Sequence, residues 1–141
     1  MNDRQIFEAT DEEAATIKSK LVAFNDSKMP LIQALTPQVI NRSIKEGDAV
    51  VAGILATMDR WGILYIDILW VKETCRGKGY GSLLVNAVEK EAREKGAKLS
   101  RVETLEFQAK EFYEKLGYQV FGVLEDCPEG YKDYALSKRL V

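Results

Sequence analysis

The run WGILYIDILWV, Trp61 to Val71, gives way to CRGKGYGS, Cys75 to Ser82, and then to LLVNAVEKEAREKG. The first run is dense in aromatic and β-branched residues, carries a single charge at Asp67, and reads as a central strand covered on both faces. In the segment after it, Tyr80, Leu83, Leu84, Ala87, Val88 and Ala92 fall on one face of a helix that Gly96 ends. Strand, tight glycine turn and helix therefore follow one another without a linker.

The remaining segments arrange themselves around this unit. A short strand is expected over Arg4 to Glu8. Thr10 and Glu13 then form a capping-box pattern, and Ala14, Ile17, Leu21 and Phe24 recur at helical spacing up to Met29 and Pro30. LIQALTP is too short and too proline-bounded to be assigned as a helix, and could equally shape a substrate mouth. From Val39 to Asp59 two strands meet at the turn Glu46, Gly47, Asp48. KLSRVETL reads as a strand, AKEFYEKLG as a short helix stopped by Gly117, and YQVFGVLED and YKDYALSKRL as two final strands. The order is mixed α/β, and a central sheet with helices on both faces buries such elements most simply. With 141 residues and no repeat, low-complexity run or Pro- or Ser-rich linker, residues 1–141 are expected to form one domain.

Several function classes drop out. A net charge of -2 leaves no basic footprint for nucleic acid. The two cysteines, Cys75 and Cys127, lack CxxC spacing, and the chain has no histidine, so no metal site is expected. They read as free thiols of a reducing cytosol, which points to a cytoplasmic protein. The start MNDRQIFEATDEE lacks the regions of a signal peptide, and the apolar run AVVAGILATM is far shorter than the roughly 20 residues of a membrane helix, so no membrane association is expected.

Glycines between a strand end and a helix start turn the backbone at little steric cost and leave amide N–H groups uncovered at the helix N-terminus. Such a nest attracts anions; the helix dipole adds to the effect, and Arg76 and Lys78 bring mobile positive charge. A phosphate or pyrophosphate is the natural ligand, against the plainer alternative of a glycine-rich connection. Lys78 precedes Gly79 instead of closing a P-loop, and Ser82 stands where a dinucleotide fingerprint needs glycine.

What fits is Arg-x-x-Gly-x-Gly, from Arg76 to Gly81, following a strand that ends in Val71. In this the sequence resembles the GNAT superfamily of acyl-CoA-dependent N-acetyltransferases. WVKETCRGKGYGSLLVNAVEKEAREKGAK is similar to the family's cofactor segment and AKEFYEKLGYQVFG to its second signature, while LYID, LWV and FQA with FYEKLGY mark a small bacterial subgroup. The resemblance implies a GNAT-type mixed central sheet with splayed central strands, and acetyl-CoA as cosubstrate. It implies that the amides of Gly77, Gly79 and Gly81, with Arg76, Lys78, Tyr80 and Ser82, cradle the coenzyme A pyrophosphate. Leu69 and Val71 would offer backbone to the pantetheine arm, and an amide near Leu69 would polarise the thioester carbonyl. The resemblance gives Tyr113 the task of protonating the departing thiolate. The bland alternative for Tyr113 is a core aromatic, although Phe112 and Leu116 read as the core residues of that helix and leave Tyr113 on a different face.

An acetylated amine must first lose its proton, from a pKa of about 10. Without histidine the candidate acceptors are Asp67 and Glu103, directly or through water. Asp67, if buried in its apolar strand, would need a partner such as Arg101, and that structural role stands beside the catalytic one. Glu103 could instead hold the substrate ammonium. Asp67, Glu103, Glu106, Glu125 and Asp126 favour a cationic amine, so the expected partner is a small, antibiotic-like or polyamine-like acceptor, with a protein amine or a non-catalytic acyl-CoA-binding module as alternatives. The final strands could pair across a homodimer. Glu106 stands where many members of the family carry asparagine, and Tyr131 where the subgroup often has histidine, so those two contacts are not carried over.

Overall fold

The computed structural model describes residues 4–29 and 36–141. The described residues fall into two compact units, one on either side of residues 30–35. In the first, helix α1 spans Asp11–Lys28. Its capping box is closed in both directions: the Glu13 amide donates to Thr10 Oγ1 at 3.1 Å, and the Thr10 amide donates to Glu13 Oε1 at 3.0 Å. The hydrogen bonds from Thr10 hold the Glu13 carboxyl below its usual range. The strand expected over Arg4 to Glu8 does not form, and Ile6, one of its two large apolar residues, is 99% exposed. The segment LIQALTP lies for the most part outside the described residues.

The second unit is a mixed sheet of seven strands: β1 Gln38–Val39, β2 Arg42–Glu46, β3 Ala49–Met58, β4 Ile63–Val71, β5 Leu99–Leu105, β6 Gln119–Leu124 and β7 Asp133–Arg139. The order is β1-β3-β4-β5-β7-β6, with β2 also on β3; every pairing is antiparallel except β4 with β5. The hairpin expected at Glu46 to Asp48 joins β2 to β3, and Gly47 takes the positive φ of 61° that such a turn favours. Helix α2, Tyr80–Glu94, lays Leu84, Val85, Val88 and Ala92 into the core, while Leu83 and Ala87 of the expected stripe face outward. Helix α3 covers Lys110–Lys115.

Both of these helices end in the same way. After α2, the Gly96 amide donates to the Arg93 carbonyl and that of Ala97 to Ala92; after α3, Gly117 donates to Glu114 and Tyr118 to Tyr113. These are Schellman caps, and the glycines supply the left-handed residue, with φ of 100° and 95°. The core gathers Ile40, Ile54, Met58, Leu64, Val85, Val88 and Leu136, each contributing roughly 1.5–3 kcal/mol by burial. One carboxylate lies within it. Glu89, 1% exposed, accepts from Tyr118 Oη and Lys138 Nζ, both at 2.8 Å, so its charge is compensated where it is buried.

Strand β4 positions the site. Against β5 it is paired only from Ile63 with Leu99 to Ile66 with Val102, although both strands run on. Against β3 it continues to Val71, with one irregularity: Ala56 faces Ile66 and Leu55 faces Ile68, which leaves Asp67 as the extra residue of a β-bulge. The strand expected to be covered on both faces is therefore covered over its first half only, and farther on Ile68 is 54% and Trp70 48% exposed.

Candidate active site

Where β4 and β5 part they leave a cleft of about 550 Å³. Asp67, Leu69 and Val71 form one wall, Glu103 and Thr104 the other, and Phe112 and Tyr113 of α3 also line it. A second hollow, of about 300 Å³, shares Ile66, Asp67, Val102 and Glu103 with the first and adds Tyr65 and Arg101, so the gap is reached from two sides. Beyond Ile66 no described strand pairs with the β5-facing edge of β4. An edge of this kind can take up an extended ligand chain as though it were a strand. At its end the Val71 carbonyl accepts from Arg76 Nε at 3.2 Å.

The cleft runs to Arg76 and Gly81, and the rest of the glycine loop continues past it. A 3₁₀ turn, Glu73–Cys75, leads into that loop. Gly77 and Gly79 have φ of 81° and 82°, and a Cβ built on either would meet nothing within 4 Å. Gly79 is the N-cap of α2; no side chain caps the helix, and its first turn carries no acidic residue. The leading amides of α2 are thus left to an external anion. Gly81 is a glycine for another reason: a Cβ there would sit 3.1 Å from Phe112 Cζ, so the helix start can approach α3 only without one.

Side chains of the loop meet the β2–β3 hairpin. Tyr80 Oη donates to Glu46 Oε1 at 2.9 Å, Lys78 Nζ lies 3.5 Å from the same oxygen, and Cys75 Sγ donates to it at 3.8 Å. The Tyr80 hydrogen bond and the Lys78 charge hold the Glu46 carboxyl below its usual range; reciprocally, Glu46 raises Lys78 and Tyr80.

Tyr113 is set by the turn before α3. Gln108 Oε1 accepts from the Leu105 amide at 2.8 Å and Thr104 Oγ1 from the Ala109 amide at 3.1 Å, which fixes the start of the helix at the end of β5. Tyr113 is 3% exposed, with its ring edge-on to Phe112 at 5.1 Å and to Tyr118 at 5.5 Å. It belongs to the core while Phe112 and Leu116 are only partly buried, the reverse of the expectation, because a helix of six residues shows too little periodicity to mark its inner face. Burial pushes the Tyr113 phenol up to about 12.

Asp67 and Glu103 are both exposed in the cleft. The cost of burial that would have tied Asp67 to Arg101 does not arise, and Arg101 lies over the rings of Tyr65 and Phe121 at 5.7 and 5.3 Å. Glu106, Glu125 and Asp126 do not line the cleft. Asp126 instead accepts from the Gly130 amide at 3.0 Å.

The Acetyltransferase (GNAT) family matches residues 6–118. The chain belongs to that family. It is an acetyl-CoA-dependent N-acetyltransferase, with acetyl-CoA as cosubstrate. Blasticidin-S acetyltransferase of Streptomyces morookaense is 34% identical over 132 residues, covering 86% of this chain and 96% of that protein. The crystal structure of an acetyltransferase from Bacillus cereus superposes with a TM-score of 0.88 at 35% identity, over 96% of this chain and 97% of that one. An aminoglycoside 6'-N-acetyltransferase solved with coenzyme A shares the fold, with a TM-score of 0.67 at 20% identity, over 97% of this chain and 98% of the other.

In this acetyltransferase, sequence reasoning missed Glu46, Thr104, Gln108 and the exposed Phe107. Phe107 lines the cleft and meets Tyr131 edge-on at 5.2 Å. The sequence marked Phe107 only within the FQA segment and Tyr131 only as the residue in place of a histidine; their contact was not visible, since the loops that bring them together lie apart in the chain.

Proposed function

We propose that the enzyme moves the acetyl group of acetyl-CoA to a primary amine of a cationic small molecule, by direct attack in a ternary complex. The observation that carries this reading is the cleft itself, with a glycine nest at one end and two exposed carboxylates at the other. The open space over Gly77 and Gly79 and the uncapped amides that start α2 support a pyrophosphate there, with Arg76 and Lys78 as the charges of the same loop. The pantetheine arm extends along the free edge of β4 at Leu69 and Val71, where a backbone amide polarises the thioester carbonyl. We read residues 1–141 as one acetyltransferase domain, because the family match runs through both compact units.

The neutral amine attacks the thioester carbon, an N–C bond forms, the C–S bond breaks, and the attacking nitrogen gives its second proton to solvent, which balances the one that Tyr113 takes back. Asp67 or Glu103, directly or through water, takes the proton that the ammonium loses. Tyr113, kept protonated by its burial, donates its hydroxyl proton to the leaving thiolate and recovers one from solvent. Asp67 and Glu103 line the cleft, and its one lining cation, Arg76, belongs to the glycine loop, so the carboxylate part favours a cationic acceptor. The names of the Streptomyces relative and the aminoglycoside enzyme point toward antibiotic-like amines.

The test is calorimetric titration with acetyl-CoA, with ADP as control, followed by a free-thiol assay over aminoglycosides, nucleoside antibiotics, polyamines and a lysine peptide. Tight acetyl-CoA binding with thiol release for one small cationic amine is expected. Release for the peptide alone overturns the small-molecule reading.

A further inference from the structure

Glu46 lies outside the cofactor motif, yet three donors of that motif converge on one of its oxygens: the Tyr80 hydroxyl at 2.9 Å, Lys78 Nζ at 3.5 Å and Cys75 Sγ at 3.8 Å. A single anionic oxygen collecting an ammonium and a hydroxyl is the arrangement that a phosphate oxygen would make with the same groups. The first turn of α2 has no acidic residue of its own, so this carboxylate reaches the loop from the turn of a distant hairpin. The Lys78 and Glu46 side chains are 51% and 47% exposed, so the pair is open to exchange with an incoming anion.

We propose that Glu46 is a resident anion on the coenzyme A loop, competing with the pyrophosphate for Lys78 and so setting the affinity for both acetyl-CoA and spent coenzyme A. This rests on the reading that the loop holds the pyrophosphate. The Tyr80 hydrogen bond keeps the loop in shape before the cosubstrate arrives, while the carboxylate charge opposes the pyrophosphate after it docks. Lys78 exchanges from Glu46 to phosphate on binding and returns on release. The exchange weakens the hold on coenzyme A and thereby speeds product departure, a step that limits many enzymes.

Glu46→Gln separates the two roles, because the amide oxygen still accepts from Tyr80 and only the charge is lost. Titration of wild type and variant with coenzyme A at low salt is expected to show affinity higher by about threefold in the variant, the scale of an exposed ion pair. The gain shrinks at high salt, where such charges are screened. Product inhibition by coenzyme A strengthens by the same factor, and binding of acetyl-pantetheine, which has no pyrophosphate, does not change. Unchanged or weaker coenzyme A affinity in Glu46→Gln overturns the inference and leaves Glu46 as a tether of the loop. Gly79→Trp, run alongside, tests the underlying reading separately. If it binds coenzyme A like wild type, the loop is not the pyrophosphate site and both ideas fall; if it loses binding, the Gln variant alone decides.

Discussion

The two ends of the cleft are built from different materials. At the end we propose for the coenzyme the parts are mostly backbone: left-handed glycines, uncapped amides at the start of α2, and the β5-facing edge of β4, unpaired from Asp67 to Val71. At the end we propose for the acceptor they are side chains, Asp67 and Glu103, carried to the opening by a bulge and by the parting of β4 from β5. The difference teaches which substitutions each end tolerates. Backbone sites fail when a side chain is added, and side-chain sites fail when a functional group is removed.

The largest effect is expected where the backbone end is blocked. Gly79→Trp places a bulky group in the open space over the nest and forces a non-glycine residue to φ of 82°, so calorimetry should show acetyl-CoA affinity lower by at least about a hundredfold. At the other end the effect moves to the amine. Asp67→Asn and Glu103→Gln should leave acetyl-CoA affinity as in wild type, and the one that removes the proton acceptor should lower kcat/KM for the amine by about a hundredfold or more. Equal, small losses in both variants would indicate that water accepts the proton without help from either carboxylate. A loss of acetyl-CoA affinity in either would break the division between the two ends.

That division also governs what could be read without the structure. A strand, a glycine turn and a helix are written locally, so the nest from Arg76 to Ser82 and the end of α2 at Gly96 were legible. Asp67 was noticed for a reason that does not hold: it is not a buried charge, and its place in the cleft follows from the bulge against β3, which depends on a partner strand. Glu46 was legible as a turn residue but its contact with the loop was not, because it is 34 residues from Tyr80 and nothing near either residue marks the contact. The first strand failed for a related reason, since Arg4 to Glu8 has the composition of a strand, and composition does not supply the pairing that makes one.

Tyr113 joins the two ends, and its effect should be smaller. Tyr113→Phe should lower kcat by about tenfold, below the usual 10²–10⁴ for general acids because a thiolate leaves readily unaided, with acetyl-CoA affinity kept. The same variant reports on burial. The folded protein holds the phenol neutral until about 12, whereas the unfolded chain ionises at about 10. Stability from this group is therefore complete below pH 10 and is lost as pH rises from 10 toward 12, by roughly 2–3 kcal/mol. Tyr113→Phe should flatten that part of the alkaline unfolding curve, and an unchanged slope would show that the hydroxyl is solvated.

The smallest effect falls on the one glycine of the loop that is required by packing. Gly77 and Gly79 have open space where a Cβ would go, but at Gly81 that Cβ would lie 3.1 and 3.2 Å from Phe112 and 3.9 Å from Leu69. Gly81→Ala keeps an ordinary backbone, so its cost, about 1 kcal/mol in thermal unfolding, comes from pushing Phe112 aside. Because Phe112 lines the cleft beside Tyr113, the displaced ring should also raise the KM for acetyl-CoA a few-fold while the amine KM stays put. Adding Phe112→Leu, which makes room for the methyl group, should restore part of both losses. If it restores neither, the loop is sensitive to its backbone at Gly81 as well, and the coenzyme end is uniform in a way that the contact with α3 does not explain.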